Sequence, residues 1–127
     1  MELVYRLFDF MTPAHLDQKD DFLKNTSLYE KAIYHIKMVE KFKTPRDKLV
    51  SVLNTCKLVS SMVWAAARKG ITGADDFLPV LVYLVVKAKP ARPVANVAFI
   101  LDFVNSDKLA GLDEYYFTAY SSAVDFL

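Results

Sequence analysis

The sequence predicts an all-α protein, and three observations lead to that fold class. Apolar residues recur at three- and four-residue steps in several segments, which is the period of amphipathic helices. Capping residues and prolines stand where these segments begin and end. No other segment pairs with the one strand-like run, so a sheet would leave backbone hydrogen bonds unmade. We expect one domain over residues 1–127, built as a layered bundle of about six helices.

The first well-marked helix begins at the sequence SLYE. Ser27 and Glu30 match a capping box, in which each side chain bonds the backbone N–H group of the other residue. Five apolar residues then share one helical face, and the pattern runs to about Phe42. They are Leu28, Ala32, Ile33, Ile36 and Val39.

The second helix has the clearest limits. Thr44 can cap it, Pro45 suits the first helical position, and Asp47 lies at the third. The pair Lys69-Gly70 is a C-terminal stop, so the helix spans six turns or more. Its apolar face comprises Leu49, Val52, Leu53, Cys56, Val59, Met62, Val63 and Ala66.

Two basic residues near the start of this helix, Arg46 and Lys48, are assigned to stability. We expect them to reach buried or interhelical partners, while Asp47 supports the cap.

The segment GADDFLPVLVYLVVKA at residues 73–88 is ambiguous on propensity alone, because its β-branched residues also suit a buried strand. Since a lone strand has no partner, we predict a buried central helix from Pro79 to Ala88, ended by Pro90. The charge-free run of this segment, residues 77–86, is about half the length needed to cross a bilayer as a helix. It is predicted to be core, and no transmembrane segment is expected.

Two further helices follow. The one after Pro93 contains VANVAFILDFV and is predicted to be mostly buried. The last, from Asp113 to Leu127, has a packing face and a free face. The packing face comprises Tyr116, Tyr120, Ala123 and Leu127. The free face comprises Tyr115, Thr118, Ser122 and Asp125.

Composition excludes several classes of protein. Apolar residues make up 54% and charged residues 24%, and the formal net charge of +1 lacks the excess of Lys and Arg that nucleic-acid binders carry. A single cysteine excludes an internal disulfide framework. The opening MELVYRLFDFM carries charges inside its apolar stretch, unlike a secretory signal. We therefore expect a cytosolic protein that does not bind nucleic acid.

Enzyme motifs and metal sites are also not expected. The sequence contains no GxSxG, no HExxH and no glycine-rich phosphate loop. His15 and His35 lie in separate segments and are read as structural, and Cys56 as a small core residue. Asp75 and Asp76 diverge by about 100° on a helix and lack a third oxygen ligand, so neither a metal nor a cofactor is predicted.

Four motifs in order carry a family resemblance: TPRDKL at residues 44–49, GADDFLPVLVY at 73–83, YYFT at 115–118 and SAV at 122–124. Together they resemble the Vps-nine (vacuolar protein sorting nine) domain, over about residues 10–127. In the family a helical bundle precedes this domain, and we expect that bundle to be absent from residues 1–127.

The resemblance implies a guanine-nucleotide exchange factor for Rab GTPases of the Rab-five subfamily, acting in endosomal vesicle trafficking. Such a factor accelerates GDP release without making or breaking a bond. The implied partner is a GDP-bound or nucleotide-free Rab-five-type GTPase. The implied location is the cytoplasm, with recruitment to early endosomes through other regions or proteins. The implied fold is all-helical, with a shallow groove for the GTPase switch regions between the helix after GADDFLP and the helix carrying YYFT.

The resemblance also assigns the site. Asp75 matches an acidic finger directed at the nucleotide phosphates, and Tyr115 and Thr118 match positions that hold a switch region. Pro79 matches a residue that shapes the groove, and Asn96 is assigned to the GTPase-binding set. Tyr115 and Thr118 lie three residues apart, which places them on one helical face.

Each assignment has a structural alternative. Asp75 can be a helix N-terminal carboxylate, with Thr72 completing the cap, and Asp76 keeps that structural reading. Pro79 can be a helix starter only, and Tyr115 an ordinary half-buried tyrosine. A helical threonine such as residue 118 often bonds back to its own backbone. An asparagine in an apolar helix, such as residue 96, can tie neighbouring backbone.

Two competing functions stay open. The first is a binding module or scaffold that kept the fold and lost exchange activity. The second is a small hydrolase that uses Asp75 and Asp76 as acid and base. The hydrolase requires a pocket and a second, separated carboxylate that the sequence does not offer.

Overall fold

The computed structural model describes residues 27–70, 76–106, 109 and 111–127. They form five helices and no strand, which confirms the all-α prediction for this part of the chain. The helices are α1 (Ser27–Lys41), α2 (Pro45–Arg68), α3 (Phe77–Ala88), α4 (Pro93–Ser106) and α5 (Gly111–Asp125). The predictions for His15, Thr72 and Asp75 lie outside the described residues.

Helices α1 and α2 form an antiparallel pair joined by a short turn. The side chains of Ala32, Ile36 and Val39 on α1 are buried, as their spacing predicted. Thr44 is the N-cap of α2, and its Oγ1 accepts a hydrogen bond from the Asp47 N–H at 3.2 Å. Pro45 opens the helix as expected, because a first-turn residue needs no intrahelical N–H bond.

Helix α2 is the centre of the bundle and packs against all four other helices. Its 24 residues are long and apolar enough to cross a membrane by length and composition, a test that the core helix of a soluble protein also passes. Here the apolar face is covered by protein: Val52, Cys56, Val59 and Met62 are fully buried. The helix ends at the predicted stop, where Gly70 adopts a φ of +71°.

Helix α3 confirms the predicted buried helix, although it begins at Phe77 rather than at Pro79. Every residue from 79 to 85 is buried, and Pro79 occupies the first turn. The helix ends at Ala88, two residues before Pro90. Lys89 then takes a left-handed backbone with φ of 52°, and its N–H bonds the carbonyl of Val85.

Helix α4 corrects one prediction, because the segment expected to be mostly buried lies at the surface. Ile100 is fully buried, whereas Val94 is 64% exposed, Phe99 43% and Leu101 45%. The helix packs against α1, α2 and α5 along one side and leaves the opposite side uncovered in this part of the chain. The prediction was wrong because an almost uniformly apolar sequence does not indicate which side faces the core.

Helix α5 has the two faces that its sequence predicted. Tyr116, Tyr120 and Ala123 are buried, and Tyr115, Thr118 and Asp125 are exposed. Leu127 was wrongly placed on the packing face: its side chain is 53% exposed. The reason is that α5 ends at Asp125, so the final residues leave the helical face.

A buried lysine joins α2 to α1 at one end of the bundle. Lys48 is only 6% exposed, and its Nζ donates a hydrogen bond of 2.6 Å to the carbonyl of Val39 in the last turn of α1. Burial lowers the pKa of Lys48, and the nearby Glu40 carboxylate opposes that shift. Glu40 Oε1 also accepts a hydrogen bond of 2.9 Å from the Arg92 N–H, just before α4. The predicted buried partner of Lys48 is thereby confirmed, whereas Arg46 is exposed.

Replacing Lys48 with methionine is expected to lower the free energy of unfolding by about 1.5–3 kcal/mol. The substitution removes a charge-assisted hydrogen bond and leaves the Val39 carbonyl without that donor. Urea unfolding followed by circular dichroism measures the change. Lys57→Met, at an exposed position of the same helix, is the matched control and should change stability by less than about 0.5 kcal/mol. Equal midpoints for the two variants would contradict this role for Lys48.

Candidate functional site

Three aromatic rings join the start of α3 to the start of α5. The centroid of the Phe77 ring lies 5.8 Å from that of Tyr115 and 5.7 Å from that of Tyr116. The two tyrosine rings are 6.0 Å apart. These distances are within the range of favourable aromatic pairs. We call Phe77, Tyr115 and Tyr116 the aromatic cluster.

Tyr115 is the exposed member of the aromatic cluster. Its side chain is 55% exposed, whereas that of Tyr116 is 6% exposed. Thr118 is also exposed and lies three residues after Tyr115, so both occupy the free face of α5. The predicted placement of these two residues is therefore confirmed, and their roles toward a partner stay predictions.

A buried thiol of α2 contacts the backbone of α5. Cys56 Sγ donates a hydrogen bond of 3.4 Å to the carbonyl of Tyr116. Burial raises the pKa of the Cys56 thiol to about 12, so the group is neutral at physiological pH. Burial also raises the pKa of the neighbouring Tyr120 well above its usual value. Cys56 is the core residue that its sequence position predicted.

An open groove of about 680 Å³ runs between α4 and α5. The resemblance implied a groove between α3 and α5, and those two helices do pack together. However, residues 79–85 of α3 are buried, so α3 contributes mainly its ends to the surface. Thr118 lies in the groove on the α4 side of α5. The lining residues are Leu101, Val104, Leu109, Glu114, Phe117, Thr118 and Ser121.

Pro79 and Asn96 lie away from that groove lining. Pro79 is buried in the first turn of α3, so it can act only by shaping the helix that follows the acidic pair. Asn96 is half-buried, and its Nδ2 donates a hydrogen bond of 2.9 Å to the Arg92 carbonyl. The expected backbone tie of Asn96 is confirmed. The part of α4 that lines the groove lies further along, at Leu101 and Val104.

Two acidic residues, Asp75 and Asp76, precede α3 in the sequence. Asp76 is the N-cap residue of α3 and is half-buried, and its side chain makes no capping hydrogen bond. Its backbone carbonyl accepts the first helical bond, from the Val80 N–H at 3.0 Å. A carboxylate at this end of a helix is stabilised by the helix dipole. Asp75 lies outside the described residues.

A second surface feature adjoins the aromatic cluster and was missed by the sequence analysis. A hollow of about 160 Å³ lies between α2 and α3, lined by Ser60, Val63, Trp64, Ala67 and Phe77. Trp64 is 64% exposed, and the Arg68 guanidinium lies 4.7 Å from its ring centroid. The available signal was the position of Trp64, off the apolar face of α2.

The described residues offer no group of three His, Cys, Asp or Glu side chains that could hold a metal ion. His35 instead packs edge-to-face on Tyr34, with ring centroids 5.3 Å apart.

Comparison with known sequences matches this chain to one family. A sequence profile described as the Vacuolar sorting protein 9 (VPS9) domain matches residues 29–127. The matched range contains all five helices except the first two residues of α1.

Curated proteins of several organisms are similar to this chain. Vacuolar protein sorting-associated protein 9A of Arabidopsis thaliana is 36% identical over 121 residues, covering 93% of this chain and 23% of the relative. Vacuolar protein sorting-associated protein vps901 of Schizosaccharomyces pombe is 30% identical, covering 95% and 21%. Receptor-mediated endocytosis protein 6 of Caenorhabditis elegans is 28% identical, covering 98% and 11%. The chain thus spans less than a quarter of the length of each of these relatives.

Proposed function

The chain belongs to the VPS9 domain family, and from that premise we propose that it is a guanine-nucleotide exchange factor for Rab GTPases. The proposed substrates are GTPases of the Rab-five subfamily in their GDP-bound form. The proposed setting is endosomal vesicle trafficking, with recruitment of the cytoplasmic protein to early endosomes. The name of the Caenorhabditis elegans relative, which refers to receptor-mediated endocytosis, is consistent with that setting.

The observation that carries the proposal is the contact between Phe77 and the exposed Tyr115. Phe77 follows Asp75 by two residues, so chain connectivity alone keeps their Cα atoms within about 7 Å. We therefore propose that the acidic finger and the switch-binding tyrosine act on neighbouring parts of the same GTPase. The proposal requires that a GTPase packed on Tyr115 also meet the Asp75 carboxylate.

The energetic demand on such a factor is large. A GTPase holds the β-phosphate of its nucleotide with backbone N–H groups, a lysine and Mg²⁺. A dissociation constant of about a picomolar corresponds to roughly 16 kcal/mol. With an association rate constant of about 10⁷ M⁻¹s⁻¹, release takes on the order of a day. Shortening the release time to about a second requires that the nucleotide bind more weakly by about 7 kcal/mol.

A carboxylate can supply part of that change. When Asp75 enters the phosphate site, it repels the phosphate oxygens and offers the released lysine a replacement partner. Binding of the exchange factor and binding of the nucleotide then oppose each other by the same coupling free energy. The proposed role of Asp75 is thus electrostatic, and the step requires no covalent chemistry.

The packing around Phe77 favours this mechanism. The residues after Asp76 form a buried helix, and Phe77 is packed between α2 and the two tyrosines of α5. Packed neighbouring residues favour a defined position for a charged group that acts on a partner. Tyr115 and Thr118 are proposed to hold the switch region, and Pro79 and Asn96 to support the surrounding helices.

The test is a fluorescent mant-GDP release assay against a panel of Rab GTPases. We expect the chain to accelerate release from Rab-five-type members and to leave distant members at their intrinsic rate. A scaffold would bind a GTPase without accelerating release, so equilibrium binding to the same panel identifies that alternative. Release at the intrinsic rate from every panel member would overturn the proposal.

A further inference from the structure

We propose that the hollow between α2 and α3 is a second contact pocket for the same GTPase, with Trp64 as its specificity-determining residue. This inference rests on the proposed function and adds a contact that Tyr115 does not provide. The pocket is proposed to take one apolar side chain of the GTPase surface that borders the nucleotide site.

The hollow is continuous with the proposed binding surface. Phe77 is a wall of the hollow and also a member of the aromatic cluster with Tyr115. The two features therefore share a single ring. A protein surface that covers Tyr115 therefore lies next to a residue that lines the hollow.

The lining of the hollow suits an apolar side chain. Val63, Ala67 and Phe77 are apolar, and the volume of about 160 Å³ is close to that of apolar cavities that bind a benzene-sized group. Such a hollow favours an aliphatic or aromatic side chain over a charged one, because a charge would lose its hydration there.

Trp64 itself has the exposure of a residue that binds a partner. A tryptophan that is 64% exposed exposes a large apolar ring to water, and burying that ring against a partner is favourable. The Arg68 guanidinium lies 4.7 Å from the ring centroid, and this cation–π contact favours the observed position of the indole. Tryptophan and arginine are the residue types enriched at energetically important contacts. A ring that already favours one position loses less conformational freedom on binding.

The test uses the full chain and separates binding from catalysis. For a GTPase that the parent protein activates, Trp64→Ala is expected to lower kcat/KM for mant-GDP release about tenfold and to leave the saturating rate unchanged. Trp64→Phe should recover most of the loss. The tenfold factor should differ between Rab proteins, because their side chains at this contact differ.

Two controls separate this contact from a structural role. Tyr34→Ala removes an aromatic residue of 57% exposure from α1 and should keep the parental kcat/KM. The urea midpoint of Trp64→Ala should equal that of the parent, since the ring is mainly exposed. A parental kcat/KM for Trp64→Ala with every activated GTPase would overturn the inference and leave the proposed function standing.

If the parent accelerates release from no GTPase, the proposed function fails. The contact at Trp64 is then tested by binding alone. The dissociation constants of nucleotide-free GTPases are then compared. A tenfold weaker complex for Trp64→Ala supports the contact. Equal dissociation constants, or a parent that binds none of the panel, overturn it.

Discussion

Replacing Asp75 with alanine is expected to lower the saturating rate of stimulated GDP release by about 100-fold or more, with the fold unchanged. The expectation follows from the demand of about 7 kcal/mol on the nucleotide grip. Removing one member of a desolvated charge pair costs about 2–5 kcal/mol, which covers a large part of that demand. No other acid is assigned to the phosphate site, so nothing replaces the lost carboxylate.

The measurement is single-turnover mant-GDP release over a range of exchange-factor concentrations. The matched control is Asp76→Ala, which removes the adjacent carboxylate at the start of α3. We expect Asp76→Ala to keep the saturating rate of the parent, and a loss of stability through the helix dipole should stay below about 1 kcal/mol. Equal saturating rates for the parent and Asp75→Ala would rule out the finger assignment.

Replacing Tyr115 with alanine is expected to weaken binding of the GTPase by about 30-fold, which corresponds to about 2 kcal/mol. The side chain is 55% exposed, and its ring contacts that of Phe77, so it offers a partner an aromatic surface that is held in place on one side. Tyrosines of this kind carry large contributions at protein interfaces. The saturating release rate should change little, because Tyr115 does not act on the phosphate.

Isothermal titration with a nucleotide-free GTPase measures this effect. Tyr115→Phe keeps the ring contact with Phe77 and removes only the hydroxyl, so it distinguishes ring packing from hydrogen bonding. The alanine variant should lose about 0.5–1.5 kcal/mol of stability from the aromatic cluster, which urea unfolding reports. An unchanged dissociation constant for Tyr115→Ala would show that this face of α5 is not the binding surface.

The limits of the helices were largely predictable because they depend on local chemistry. Thr44 caps α2 through the Asp47 N–H, as its side chain and the following proline predicted. Helix α3 ends just before Pro90 for a similar reason, since proline restricts the residue before it. The helical period also separated the buried and exposed faces of α5, which placed Tyr115 at the surface.

Contacts between distant segments could not be predicted in the same way. The hydrogen bond between Glu40 and the Arg92 N–H joins residues 52 positions apart, and no local pattern indicates it. The stacking of Phe77 on Tyr116 depends likewise on how α3 meets α5. Helix α4 shows the converse problem: its apolar sequence predicted burial, but its place at the edge of the bundle leaves Val94 and Phe99 exposed.

The candidate site was therefore predictable in part. Periodicity predicted the free face of α5. The family resemblance assigned binding roles to Tyr115 and Thr118 on that face. Trp64 was missed because it lies outside the apolar face of α2, and the sequence does not indicate which helix packs beside it. The hollow beside it exists only because Phe77 of α3 packs near the end of α2.

The central claim is that one negative charge at residue 75 weakens the grip of the GTPase on its nucleotide. The most direct test is the saturating rate of mant-GDP release for Asp75→Asn, which removes the charge and keeps the shape of the side chain. We predict a rate as low as that of Asp75→Ala, together with parental binding of the GTPase to within about threefold. A rate equal to that of the parent would contradict the account.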